Sequence, residues 1–468
     1  MKRKKLVILE LFIVISICIC VISMIFSLYL ICSNLGRTVL NVNNKNREKI
    51  KEMLKESEDY NETYNIDNIN KIQFFLVFND FEFTLYYKNG EEKVIYDDDL
   101  HELREYIKEK GYATTLITDH VIEWLEKNIS DEKPFCVLVN HKAPHRNWMP
   151  DFPNMHLFED VDFPEPETLF DDYTTRGPQM KTQELTIDRH MGYAFDFKVR
   201  ELKNEPTLQY IRDSWLMAMA EMDSEQRATW EAIYDKKNEE FLKNPSVGKD
   251  LLRWKYQRYV KEYCRTIRSV DEQVGRLLDY LEEKGVLDNT VIVYTSDQGF
   301  LLGEHGLYDK RFMYEESFRT PLIISCPSLV KKHSVCKELV QNIDLAPTFL
   351  SLAGVEVPKE MSGRSLLPLF KNGKAENWRN ELYYHFYDYP AVGSVRKHDG
   401  IRTKRYKLIH WHGEGSGNDE AIDFWELYDL KKDVMEVNNV YDNPKYVKVR
   451  EALTVQLEKL RKDVGVTE

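Results

Sequence analysis

A periodic helix that runs directly into a buried strand constrains this chain more than any other feature. From Tyr256 to Leu281 apolar side chains return every three or four residues, at Tyr256, Val260, Tyr263, Ile267, Val270, Val274, Leu277 and Leu281. That spacing predicts one long helix with a buried stripe, and Gly285 stands where such a helix stops. After a short connection, Val291 to Tyr294 is a β-branched and aromatic run bounded by polar residues, which reads as a buried strand. Helix-then-strand order implies an α/β domain built on a mixed, mainly parallel sheet flanked by helices. Leu322 to Ser325 supplies another strand.

Asp297 and Gln298 fall just past the carboxyl end of the first strand, where ligands bind in open α/β sheets because the loops leaving the strand tips converge there. Their hard oxygens suit Ca²⁺ or Mg²⁺, and Lys310 offers a positive charge to an anion. Taken alone, SDQG more often marks an N-cap aspartate, and such a lysine a solvated side chain. A second candidate loop lies upstream. Leu116, Ile117, Val121, Trp124 and Leu125 keep helical spacing, with Thr114 or Thr115 available as a cap. Pro134 to Val139 follows as a strand whose tip carries HKAPHRNWMP. There Lys142 can face an anion by charge, and His145 by donating a hydrogen bond or delivering a proton.

Together these stretches resemble the sulfatases of the alkaline phosphatase superfamily. The match runs through SDQG, then Gly303, Glu304, His305, Gly306 and Lys310, then Tyr314, Glu315, Glu316, Ser317, Arg319 and Pro321. It takes in KAPH as well, and PEPETLFDDY within residues 158–173 is similar to the glycan, N-acetylglucosamine-6-sulfatase-like branch. The resemblance implies that His145 and Lys310 grip a sulfate group as catalytic residues, with Lys142 beside them, and that Asp297 and Gln298 are half of a Ca²⁺ or Mg²⁺ site. It also implies that His385, Arg396, His398 and Arg402 face the sugar from the C-terminal part; as bare sequence these are solvated charges.

One family element is missing. Sulfatases carry a C/S-x-P-x-R signature whose Cys or Ser becomes formylglycine, the attacking group, and no Cys or Ser here begins it. The opening family strand with its paired aspartates is also absent, so the resemblance covers about residues 111–443. A nucleophile divides a hard displacement into two easier steps, and charge neutralisation does not replace it. The expected function is therefore sulfuric ester hydrolysis on sulfated glycans or aryl sulfates by lineage, impaired or absent in the single chain. Two alternatives stand beside it: a membrane-tethered, non-catalytic binder of sulfated glycans, and a fragment of a split or misfused sulfatase gene. A strand at Ile72 to Phe78 is a candidate to fill the place of the missing one.

The N-terminus points to a membrane. Lys2, Arg3, Lys4 and Lys5 precede an uncharged run from Leu11 to Cys32 broken only by three serines, long enough to span a hydrocarbon core of roughly 30 Å. The basic cluster predicts a cytoplasmic N-terminus, contact with the membrane through residues 6–32, and an extracytoplasmic bulk. Residues 37–110 read as a charged stalk and a small α+β module with strand-like runs at Ile72 to Phe78, Phe81 to Tyr87 and Lys93 to Tyr96 and a helical pattern at Leu100 to Lys110. Residues 111–364 form the sulfatase-like domain, and 365–468 a small C-terminal antiparallel α+β subdomain closed by a helix from about Pro444 to Asp463. A net charge of -13 argues against nucleic acid as a partner. Seven cysteines without metal-type spacing imply no disulfide framework.

Overall fold

The computed structural model describes residues 37–41, 69–77, 80–87, 92–95, 109–129, 133–200, 209–390, 392–417 and 419–466. The apolar run Leu11 to Cys32 and most of the expected Leu100 to Lys110 helix lie outside them. Among the described residues no helix is long and apolar enough to cross a membrane. The chain divides into two compact units, residues 1–109 with 343–364, and residues 110–342 with 365–468.

In the first unit, β1 (Arg37–Asn41), β2 (Ile69–Val77), β3 (Asp80–Tyr87) and β4 (Glu92–Ile95) form an antiparallel meander in that order. β1 has no counterpart among the strand-like runs read from the sequence. Both edges of β2 are taken, by β1 and β3, so the Ile72 to Phe78 run does not fill the missing place in a parallel sheet. Within residues 343–364 a helix spans Leu345–Leu352. Asp344 precedes it but makes no side-chain cap; its carboxylate accepts from the Arg364 N–H at 2.8 Å instead.

The second unit holds the two helices expected around Leu116–Leu125 and Tyr256–Leu281, with two more between them. We label them α1 (Ala113–Asn128), α2 (Gln209–Ala220), α3 (Ser224–Lys243) and α4 (Gly248–Glu283). Tyr112, not a threonine, precedes α1, and Thr114 and Thr118 are buried within it. At 36 residues α4 is the backbone of the unit. Its stripe is apolar at both ends and polar in the middle, where Glu262 and Arg265 pair at 2.7 Å and Tyr234 donates to Glu262 at 2.6 Å. Such a pair survives burial because its remaining groups are bonded too.

The sheet departs from expectation. β5 (Ile292–Thr295) and β8 (Leu322–Ser325) pair antiparallel, Ile292 opposite Ser325 and Thr295 opposite Leu322, as do the two-residue strands β6 (Leu301–Leu302) and β7 (Tyr308–Asp309) between them in the chain, and every ladder among the described residues is antiparallel. Residues 134–139 form no strand and join no ladder. Among the described residues the mainly parallel sheet is therefore not formed. A strand needs at least one neighbour to pair with, and among the described residues 134–139 has none. Phe135, Val137 and Ile292 still pack on the α1–α4 layer with Leu125, Tyr280 and Leu281. The opposite face is bare: Leu138, Tyr294 and Ile323 are 42%, 37% and 62% exposed.

The C-terminal part matches expectation. β9 (Glu381–Phe386), β10 (His398–Thr403), β11 (Tyr406–Gly413) and β12 (Ile422–Asp429) form an antiparallel sheet in the order β12-β11-β10-β9. The closing helix, Val447–Asp463, packs Leu453 and Leu457 on Ile401, Leu408 and Leu427.

Candidate active site

Two loops of the second unit meet. The first leaves the stretch 134–139 and turns at Lys142, whose carbonyl accepts from the His145 N–H at 2.9 Å. The second carries Gly303 to Arg311. Lys310 Nζ lies 3.2 Å from His145 Nε2, so the two residues expected to grip an anion are brought together. Lys142 is exposed beside them, close enough to disfavour a proton on His145.

The contacts of His145 fix its resting state. Nδ1 lies 2.7 Å from the Arg146 carbonyl oxygen, an acceptor only, so the proton sits on Nδ1 and Nε2 offers its lone pair to the Lys310 ammonium. Burial and the charge of Lys310 push the imidazole below its usual value. Lys310 is held in turn by Asp309 at 3.0 Å, and its ammonium lies over the Phe300 ring. Asp309 is itself buried, which works against its charge, but Lys310 and Arg311 hold it below the ordinary carboxylate range.

Arg146 couples the loops and was not singled out in the sequence. Its guanidinium forks onto Asp196, Nε to Oδ1 at 2.7 Å and Nη2 to Oδ2 at 2.5 Å, and Nη1 donates to Tyr308 OH at 3.1 Å. Tyr308 is two residues before Lys310. A planar five-donor group joining two partners in one geometry sets the register between loops better than a point charge would.

The Lys310 loop has backbone that needs bracing. His305, Asp309 and Arg311 have φ of 56°, 71° and 88°, a region that costs a side-chain-bearing residue of order 1–3 kcal/mol. The PEPETLFDDY segment supplies part of the brace. Thr168 Oγ1 accepts from the His305 N–H at 2.9 Å, Tyr173 OH donates to the His305 carbonyl at 2.6 Å, and Asp171 lies 3.0 Å from His305 Nδ1.

The C-terminal sheet supplies the rest. Buried Lys407 reaches the Met313 carbonyl at 2.7 Å, Glu315 at 2.9 Å and Glu436 at 2.7 Å. Arg402 forks onto Glu315 at 3.0 and 3.2 Å. Burial opposes the Glu315 charge, yet Lys407 and Arg402 hold its pKa down at about 2. Glu426 takes Trp411 Nε1 at 3.0 Å, Tyr314 OH at 3.3 Å and Gln179 Nε2 at 2.7 Å.

The four C-terminal side chains expected to face the sugar all make internal contacts. His398 is fully buried beside Trp411 and Phe386, with Nδ1 2.9 Å from the Arg396 carbonyl, and burial drives its pKa to about 3. His385 stacks on Tyr387 at 3.5 Å, and burial takes it to about 4. Arg396 spends its donors on Tyr389 and the carbonyls of Gly413, Glu414 and Glu420, and Arg402 on Glu315. Arg402 thus braces Glu315, while His385 Nε2, Arg396 Nε and His398 Nε2 are buried with no hydrogen-bond partner among the described residues, a state that costs a polar group free energy.

Asp297 is exposed at the end of β5 and accepts from Ser296 Oγ at 3.0 Å, while Asn342 Nδ2 holds its carbonyl at 2.7 Å. Gly299 then brings the turn against the Tyr314 to Arg319 segment: a Cβ there would sit 2.2 Å from the Glu316 carbonyl oxygen. One carboxylate and one amide fall short of the six to eight oxygens Ca²⁺ takes, so these residues do not make a complete site. Among the described residues a converging set of ligand-type side chains occurs elsewhere, Asp399, His410 and His412, within 4.8 Å of one another. The Arg461 guanidinium already holds that place, 2.6 Å from Asp399 Oδ1 and 3.1 Å from His410 Nδ1. The four described cysteines, Cys136, Cys264, Cys326 and Cys336, are free thiols.

Comparison with known proteins gives these contacts a context. A family model described as Sulfatase matches residues 39–355, and one described as N-sulphoglucosamine sulphohydrolase, C-terminal, matches residues 303–463. The chain is 46% identical over 369 residues to an N-acetylglucosamine-6-O-sulfatase of Bacteroides thetaiotaomicron, covering 78% of this chain and 64% of that protein. It is 40% identical over 124 residues to human N-acetylglucosamine-6-sulfatase, covering 26% of this chain and 22% of the human protein. It thus spans less than two thirds of these relatives. Among solved structures, BT4656 in complex with its substrate D-glucosamine-2-N,6-O-disulfate superposes with a TM-score of 0.70 at 42% identity, over 83% of this chain and 74% of the other. A phosphonate monoester hydrolase from Silicibacter pomeroyi, at 19% identity and a TM-score of 0.53 over 76% and 66%, shares the fold alone.

Proposed function

The chain belongs to the sulfatase family, and from that membership we propose that it grips the sulfate group of a sulfated glycan between Lys310 and His145, in a domain that does not cleave the ester unaided. The observation that carries this reading is the 3.2 Å approach of the Lys310 ammonium to His145 Nε2 at the protein surface. Lys310 supplies a fixed positive charge for the anion. His145 rests with a lone pair at Nε2, so it must take up a proton there before it can donate to a sulfate oxygen, and that proton is then placed for a leaving oxygen. A relative named for N-acetylglucosamine 6-sulfate and a neighbour solved with a disulfated glucosamine support an aminosugar sulfate as the ligand. No Cys or Ser of the sequence begins C/S-x-P-x-R, so no marked residue divides the displacement into two steps. Asp297 and Gln298 remain half of a Ca²⁺ or Mg²⁺ set in this reading, and no step is routed through it.

The basic N-terminus and the Leu11 to Cys32 run support a membrane tether with the bulk of the chain extracytoplasmic. A second reading has a separate polypeptide supply the attacking group and complete the sheet. It is favoured by the ladderless stretch 134–139 and its exposed Leu138.

Calorimetry with D-glucosamine-2-N,6-O-disulfate, together with a sulfate-release assay, tests the proposal. We expect measurable binding, about tenfold weaker in Lys310→Ala from loss of one charge-assisted contact, and no sulfate release. Unchanged affinity in that variant would remove the anion grip. Steady turnover by the chain alone would overturn its inactivity.

A further inference from the structure

A cavity of about 510 Å³ opens between α3, α4 and the segment 162–165. Its wall on α4 comes from Arg253, Trp254, Gln257, Arg258 and Lys261, which share one side of the helix. Tyr256, Tyr259 and Tyr263 lie on roughly the opposite side, where Tyr259 OH donates to the Leu301 carbonyl behind the Lys310 loop. The cavity is therefore a separate place from the Lys310–His145 pair.

Its charge runs against that of the chain. Lys237 from α3 joins Arg253, Arg258 and Lys261, and the carboxylates lining the cavity are Asp162 and Glu165. Several donors are underused. Arg258 Nε is buried without a hydrogen-bond partner, and the nearest oxygens to Lys261 Nζ are the Glu159 carbonyl at 3.4 Å and Asp162 at 3.8 Å. Lys237 is better served, with Glu159 at 3.0 Å and the Met155 carbonyl. Burial, reinforced by neighbouring Arg265, pushes Lys237, Arg258 and Lys261 below their usual values, a repulsion that a bound anion relieves.

The rest of the wall is stiff and amphipathic. Gln257 holds Phe163 by both backbone groups, at 3.0 and 2.7 Å, and Trp254 is stacked on Phe241 at 3.9 Å. Fixed aromatic edges among cations suit a flat apolar ring face that carries anionic substituents.

We propose that this cavity binds a second sulfated sugar of a longer glycan, as a non-catalytic anionic-saccharide subsite. The proposal rests on the reading of the ligand as a sulfated glycan, but not on the Lys310 grip. Its function is to hold a polymer by one sugar while another reaches Lys310, so that affinity grows with chain length through effective concentration.

The test uses the full chain, with dextran sulfate as probe and uncharged dextran and polyglutamate as controls, at fixed ionic strength. Arg253→Glu with Lys261→Glu is expected to weaken dextran sulfate binding by at least about tenfold and to flatten its salt dependence. Arg253→Glu alone, at a side chain 44% exposed, is expected to leave the fold intact and to lose about threefold. Lys310→Ala should retain most of the polymer binding while losing the disulfated monosaccharide. Wild-type affinity in both cleft variants would overturn the proposal, as would loss of all polymer binding in Lys310→Ala. Polyglutamate binding as tightly as dextran sulfate would reduce the cavity to a general cationic patch and also overturn it. If Lys310→Ala leaves the monosaccharide affinity unchanged while the cleft variants lose the polymer, the grip at Lys310 fails and the subsite stands.

Discussion

The two sides of the candidate site are built to different standards. On one side the Lys310 loop is surrounded by ionic and hydrogen-bonded contacts from residues 168–176 and the C-terminal sheet, and its bracing side chains, Lys407 and Glu426, are fully buried. On the other side, the segments that carry Asp297 and His145 rest on helices by one face and leave Leu138, Tyr294 and Ile323 open. The braced side is charged and paired; the open side is apolar and unpaired. The Lys310 half of the proposed grip is thus braced from several sides, whereas among the described residues the half that carries His145, like the turn with Asp297, is supported on one face only. Sheets of this class are normally covered on both faces, so the contrast locates what is missing.

The largest expected effect comes from breaking the braced side. Lys407→Ala removes the only cation among the contacts of Glu436 and one of two on Glu315, leaving a buried carboxylate uncompensated, which costs about 3–5 kcal/mol. The shift in urea midpoint measures it, and a loss under about 1 kcal/mol would mean the brace is not what holds the loop. Arg146→Ala comes next, because Asp196 has no exposed surface and the link to Tyr308 goes with it. We expect a loss of about 3 kcal/mol, together with weaker binding of the disulfated sugar. Arg146→Lys should recover part of the stability but not the affinity, since an ammonium restores the charge without the fork. Full recovery of both by lysine would show that charge alone, and not loop register, matters.

A smaller effect follows from pH. The folded pKa of His145 lies below its unfolded value, so its imidazole is neutral at pH 7 in the free site, and binding an anion favours protonation. Affinity for the sulfated sugar should therefore rise as pH falls below about 6.5, with roughly tenfold per pH unit as the ceiling for one linked proton. Stability should move the other way. His385 and His398, held down at about 4 and about 3, stay neutral when folded while the unfolded chain takes up protons, so stability is full above about 6.5 and is lost as pH falls from there toward 4. Opposite slopes in titrations of binding and of unfolding check both signs. An affinity independent of pH would remove His145 from the grip.

How much of this was legible in the sequence depends on how local each cause is. The α4 stripe, the Gly285 stop and the C-terminal strands follow from periodicity and glycine chemistry within a few residues, and they appear almost where the pattern puts them. His145 and Lys310 are 165 positions apart, yet the family pattern paired them. The internal contacts of His385, Arg396, His398 and Arg402 were not legible, because a charged side chain has the same letter whether it faces solvent or an internal partner. Only the partner decides, and Glu315 is 87 residues from Arg402. Arg146 was overlooked for the same reason, since Asp196 and Tyr308 give no signal near it. The run Pro134 to Val139 carries a strand's alternation, but a strand also needs a neighbour, and that neighbour is not among the described residues.

The open face admits the mildest test and the one that bears most directly on the contrast. Ile323 is 62% exposed and lies opposite Tyr294 across the β5–β8 ladder. Ile323→Lys places an ammonium among half-exposed apolar groups that already meet water, and a surface change of this kind is worth within about 0.5 kcal/mol. An unchanged melting curve is therefore expected if nothing covers the face. A loss of several kcal/mol would mean that another part of the protein, or a second polypeptide, is seated on it, because only then is the lysine forced out of water. Repeating the measurement over a range of protein concentrations separates those two covers, since a cover from another molecule makes stability depend on concentration and one from the same chain does not.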